Sequence, residues 1–227
     1  MDMNVTSTST ATLPSAELHR PLGVRIGAKL LSYIFHPLFI PIYITLVLLW
    51  LHPLNSLLLH HKRRVLIAAA VFMSTAFFPA ISIFLLWRLQ FVENIYLRQQ
   101  KERIIPFVIS MFFYFWIYYV SRNLDYFPLS LRMFLMGVFL SSASALFANI
   151  YTKISMHGIA MGGLVGYAIL QQFTDVHWLP GWTHIAIIIA GAVCTARLIL
   201  HEHKPVDVYA GFFTGVLCQV AAWLIVG

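Results

Sequence analysis

Apolar residues run through this chain in long uninterrupted stretches, parted by short polar connections. The stretches cover 30–51, 65–87, 104–121, 133–150, about 158–173, about 183–200 and 208–227. A barrel strand would show short alternating runs, whereas these are continuous, so the pattern predicts helices. A helix needs about 20 apolar residues to cross the roughly 30 Å hydrocarbon layer. The expectation is an all-α, polytopic transmembrane bundle of about six to seven transmembrane helices. The stretch 30–51 carries His36-Pro37 and Pro41, which predict a kinked or partly re-entrant segment. Pro79 predicts a bend in 65–87. Gly158, Gly162 and Gly166 are spaced four apart, as are Gly211 and Gly215, and the run Ser141-Ser142-Ala143-Ser144-Ala145 is equally small. Such spacing lets helix backbones approach closely in lipid.

Residues 1–18 are rich in Ser and Thr and lack apolar periodicity, so the expected organisation is a disordered tail and juxtamembrane segment over 1–29, then one transmembrane domain over 30–227. Composition agrees: 60% of the 227 residues are hydrophobic and only 10% charged, too few charges to cover a soluble domain. The net charge of +7 sits between the apolar runs, which favours anionic headgroups and phosphates over nucleic acid as partners. Most of Arg20, Arg25, Lys29, Lys62, Arg63 and Arg64 are read as topology signals. Cys194 and Cys218 lie within apolar runs and are read as packing residues.

Polar residues gather at three connections: Arg98 to Pro106, Lys153 to Gly158, and Arg197 to Asp207. If every stretch spans, all three lie on one side of the membrane. Arg and Lys offer fixed positive charge and N–H donors to phosphate oxygens. Ser155 adds a hydroxyl, and Gly158 lets a backbone N–H approach an anion. Pro205 fits the first turn of a helix, with His203 just before it and Asp207 within that turn. The carboxylate can then hold one imidazole nitrogen and leave the other as a nucleophile, while His157 protonates a leaving alkoxide. A cationic cradle with two histidines suffices for phosphoryl transfer without a metal.

The order of these residues resembles the three-motif signature of the type 2 phosphatidic acid phosphatase superfamily. Its third motif, Ser-Arg-x5-His-x3-Asp, is matched by Ala196-Arg197, His203 and Asp207, with only the Ser replaced. Its second, Pro-Ser-Gly-His, appears as Ile154-Ser155-Met156-His157, followed by Gly158. Its first, Lys-x6-Arg-Pro, departs most: anchored on Pro106, Arg98 takes the Lys position and Ile105 the Arg position, leaving Lys101 or Arg103 to supply the missing cation. The resemblance covers a core of about residues 95–220. It implies a lipid phosphatase with His203 as the nucleophile, Asp207 orienting it and His157 as the general acid. Arg197, Ser155, Gly158, Arg98, Lys101 and Arg103 would bind phosphate. It further implies no cofactor or metal, a lipid phosphate or diphosphate substrate, and a bacterial inner-membrane protein whose site faces the periplasm.

Three other readings stand beside it. The same site could pass the phosphoryl group to an acceptor other than water. A metal reading of His201-x-His203 is disfavoured because i and i+2 do not share a helix face. A non-catalytic homologue fits the altered first motif but not the survival of His157, Arg197, His203 and Asp207 together. His36, His52, His60, His61, His177 and His184 are read as ordinary interfacial or loop histidines, His36 as a cap on a broken helix.

Overall fold

In the computed structural model, residues 21–91 and 103–227 are described, and all their regular secondary structure is helical. In chain order the helices are α1 (Leu22–Ile34), α2 (Ile40–Leu46), α3 (Pro53–Leu58), α4 (His61–Phe72), α5 (Phe78–Arg88), α6 (Ile104–Arg122), α7 (Leu129–Tyr151), α8 (Met156–Thr174), α9 (Pro180–Ile199) and α10 (Pro205–Val226). A wide π-type turn over Val47–Leu51 extends α2, and another over Met73–Phe77 joins α4 to α5 into one helix from His61 to Arg88.

Five helices are long and apolar enough to cross a membrane: His61–Arg88, Ile104–Arg122, Leu129–Tyr151, Gly181–Ile199 and Pro205–Val226. Their outward side chains are apolar, with Ile188 70% and Leu217 67% exposed, the pattern of a surface solvated by lipid. These features point to an integral membrane protein. The other two expected spans differ in kind. Helix α8 is as long as α6, but its glycines, Gln171 and Gln172 make it less apolar, and α7, α9 and α10 enclose it. Ile40–Leu51 is a shorter apolar helix, too short at about 1.5 Å per residue to cross about 30 Å.

The N-terminal boundary differs from the expectation. Residue 29 falls inside α1. Arg25 and Lys29 interrupt the apolar run as a linear string. On a helix they share one exposed face, and Val24, Gly27, Ala28 and Leu31 form another that lies along α9 beside Gly191, Thr195 and Ala196.

Helices α8 and α10 form the most extensive pair. A Cβ built on Gly162 would fall onto the carbonyl of Phe212, and one on Gly215 onto the carbonyl of Ile159. The two backbones touch, as the four-residue spacing anticipates. On α7, the Ser144 hydroxyl lies 3.4 Å from the Cys218 sulfur, and Gly137 faces the Gln219 side chain.

At Pro79, where a bend is expected, the structure has a π-type turn over Met73–Phe77 just before the proline, within the continuous helix from His61 to Arg88. Proline has no N–H for the carbonyl four residues back, that of Thr75. The Tyr114 hydroxyl of α6 donates to that oxygen at 3.4 Å. At the far end of α8, His52 is a structural anchor rather than an ordinary loop residue. Its Nδ1 accepts the Asn55 N–H (3.4 Å) and its Nε2 donates to Asp175 (2.9 Å).

Candidate functional site

The second and third polar connections meet at the N-terminal ends of α8 and α10. Ser155 caps α8, its Oγ accepting the Gly158 N–H at 3.2 Å. The Ser155 N–H donates to the Asp207 carbonyl at 3.2 Å, so one backbone bond fastens the two connections together. Gly158 differs from its expected role. Its N–H is engaged by Ser155, and a Cβ there would lie 2.6 Å from the Val208 carbonyl. The absent side chain serves helix contact rather than anion approach.

Helix α10 begins at Pro205, with Asp207 in its first turn, where Oδ2 accepts the Lys204 N–H at 3.0 Å. The chain reaches that start through His201, whose φ of 52° is left-handed. The turn carries Glu202 back to pair with Arg197 and brings His203 against Lys153. His203 Nδ1 sits 3.2 Å from the Lys153 carbonyl oxygen. A carbonyl only accepts, so Nδ1 carries the proton in the neutral ring and Nε2 keeps its lone pair. Asp207 Oδ2 is 4.0 Å from the same Nδ1, beyond hydrogen-bond reach. The orienting contact expected of Asp207 is thus made by the Lys153 carbonyl, because the carboxylate is spent on capping α10. Burial, with the nearby charges of Arg197 and Lys153, lowers the His203 pKa from its ordinary 6.5, outweighing the opposite pull of the Lys153 carbonyl and Asp207.

His157 points the other way. Its Nε2 donates to the Ser32 carbonyl at 3.1 Å. Ser32 lies in the last turn of α1, where carbonyls have no partner within the helix. His157 Nδ1 has no hydrogen bond among the described residues. The His36 ring stands edge-on to that of His157, with centroids 5.5 Å apart and planes at 86°.

Arg197, in the last turn of α9, is only 7% exposed. One end of its guanidinium pairs with Glu202, the helix-end ion pair that its spacing also allows. Its Nε is buried with no acceptor among the described residues. Its charge is near enough to act on His36, His157 and His203. A buried donor without an acceptor costs roughly 1–3 kcal/mol or more.

Of the remaining expected residues, Arg103 stands immediately before α6. The turn at 123–128 makes α6 and α7 antiparallel, so Arg103 lies at the same end of the bundle as Lys153. Arg98 and Lys101 lie outside the described residues. Among the described residues, no three His, Cys, Asp or Glu side chains form a metal-holding group.

A mostly apolar cavity of about 60 Å³ lies near this end. Pro37, Ile40, Tyr114, Phe134, Met156 and Ile159 line it, with Ser142 and Gln219 as polar points. Pro37 and Met156 are the chain neighbours of His36 and His157. No protein-family model, curated protein or solved structure matches the chain. Sequence reasoning overlooked Ser32 and His36, whose only signal was the His-Pro break.

Proposed function

We propose that the protein is an integral membrane phosphatase that removes phosphate from a lipid phosphate or lipid diphosphate through a phosphohistidine on His203. The observation that carries this reading is the buried Arg197 Nε without an acceptor among the described residues, on a cation whose charge acts on His36, His157 and His203. The reading keeps the resemblance to the type 2 phosphatidic acid phosphatase superfamily, with a bacterial inner-membrane location and a periplasmic site. In it His203 Nε2 attacks phosphorus, the bond to the leaving oxygen breaks, and that oxygen takes a proton from His157. A ring whose Nε2–H is held by Ser32 can give a proton from Nδ1 only as the imidazolium, so His157 first takes that second proton from the incoming phosphate monoanion and then passes it to the leaving oxygen. Water then attacks the phosphohistidine and releases phosphate. Arg197 neutralises charge on the transferred group. The apolar cavity lined by Pro37 and Met156, the chain neighbours of His36 and His157, supports a substrate with a hydrocarbon chain over a soluble phosphate.

The test is inorganic phosphate release by purified protein in detergent with EDTA, across phosphatidic acid, phosphatidylglycerol phosphate and polyprenyl diphosphate. Release from at least one is expected. Silence across a panel that an established lipid phosphatase hydrolyses defeats the reading.

A pH dependence follows from His203, which attacks only when neutral. Its pKa lies below 6.5, so it is neutral above that lowered value and the acid limb of kcat/KM falls below pH 6.5. Asp207→Asn removes a carboxylate that raises this pKa, so the limb moves to lower pH. Lys153→Gln removes a cation that lowers it, so the limb moves up. Rate profiles of the three proteins check both signs, and shifts in the reverse directions refute the assignment.

A further inference from the structure

We infer that His36 is a third imidazole of the anion site, donating its Nε2–H to a non-bridging oxygen of the bound phosphoryl group. The inference rests on the phosphatase reading above and adds a contact from outside the motif-bearing core. Three observations carry it. First, the Leu38 N–H approaches His36 Nδ1 at 3.3 Å, so that nitrogen is an acceptor. The neutral ring therefore holds its proton on Nε2, which has no hydrogen-bond partner among the described residues. Second, the ring is fixed by the break between α1 and α2: Pro37 follows it and Pro41 lies in the first turn of α2. Third, the charge of Arg197 acts on both His36 and His157, and its buried Nε has no acceptor among the described residues. An oxyanion held there would be offered a donor by each of His36 and Arg197.

The division of labour follows from the two rings. His157 has Nε2–H committed to Ser32 and Nδ1 open, so it can carry and release a second proton. His36 has Nδ1 occupied by a donor, so it stays neutral and acts as a fixed hydrogen-bond donor. Such a donor matters most when charge on the phosphoryl oxygens is greatest, which makes it a transition-state contact.

The test uses full-length protein in detergent and reads two quantities, the affinity for vanadate and kcat/KM for the best lipid phosphate. Vanadate adopts the five-coordinate geometry of phosphoryl transfer. Two replacements separate packing from donation. His36→Phe keeps a ring beside His157 but lacks the donor, and His36→Gln keeps a donor without the ring. His36→Phe is expected to lose about 10²-fold in both readouts, with orthophosphate affinity reduced less. His36→Gln is expected to regain about tenfold of that loss. If His36→Phe binds vanadate as tightly as wild type, the inference is overturned and the phosphatase reading stands. If wild type binds neither orthophosphate nor vanadate and hydrolyses nothing, the phosphatase reading fails and takes the inference with it.

Discussion

Replacing His203 with Ala is expected to lower phosphate release by about 10⁴-fold or more and to abolish the acid-labile phosphoryl label on the protein. The Lys153 carbonyl ties Nδ1–H, so Nε2 is the free atom, and the lowered pKa keeps it unprotonated at neutral pH. The ring sits in the connection between α9 and α10 rather than in the apolar core, so its loss leaves the bundle folded. Release within tenfold of wild type, or a persisting label, moves the nucleophile elsewhere. His157→Ala is the useful companion, since it removes a proton donor without removing the attacking atom.

Gly162→Ala is expected to cost about 3 kcal/mol or more of stability, read as a fall in unfolding temperature in detergent. The added carbon meets the Phe212 carbonyl, which belongs to the α10 backbone and cannot rotate aside as a side chain does. Separating α8 from α10 also strains the Ser155 to Asp207 bond that fastens the site, so activity falls alongside stability. Gly191→Ala is the control. Nothing lies within 4 Å of a Cβ there, and alanine in a helix interior is favoured by about 1 kcal/mol over glycine. Equal stabilities for Gly162→Ala and Gly191→Ala contradict the packing account.

The helices that were legible in the sequence are those whose stability comes from apolar burial along their whole length. The stretches 104–121 and 133–150 lie within α6 and α7, and Pro205 begins α10 as its place before Asp207 suggested. Starts were less legible because they are set by capping residues outside the apolar runs: α7 begins at Leu129 after Pro128, and α8 at Met156 after Ser155. Helix α1 was missed because two cations interrupt its apolar residues in the linear order, though not around the helix.

The candidate site divides the same way. Local spacing brought His203, Asp207 and Arg197 into view, and the structure gathers His203 and Arg197 with His157. The actual partners of the two motif histidines are backbone carbonyls, Lys153 for one and Ser32 for the other. A carbonyl has no sequence signature. Ser32 is 125 residues from His157, a separation no local pattern encodes. For the same reason His36 looked like an ordinary cap. Its Nδ1 does bond the Leu38 N–H, and only the fold reveals what faces its other nitrogen.

The closure of α1 over His157 also bears on how the protein is made. The site needs Ser32 and His36 from the beginning of the chain, and Asp207, which fastens Ser155, from near its end. In a chain emerging from the ribosome, α1 and His36 are made long before α10 exists. Until α10 docks on α8, the Ser155 N–H lacks its acceptor, and the turn that seats His203 has no second helix to hold it. On the phosphatase reading, phosphoryl chemistry is withheld from every nascent intermediate, and a chain cut short after α9 is expected to have most of its membrane helices and no working centre.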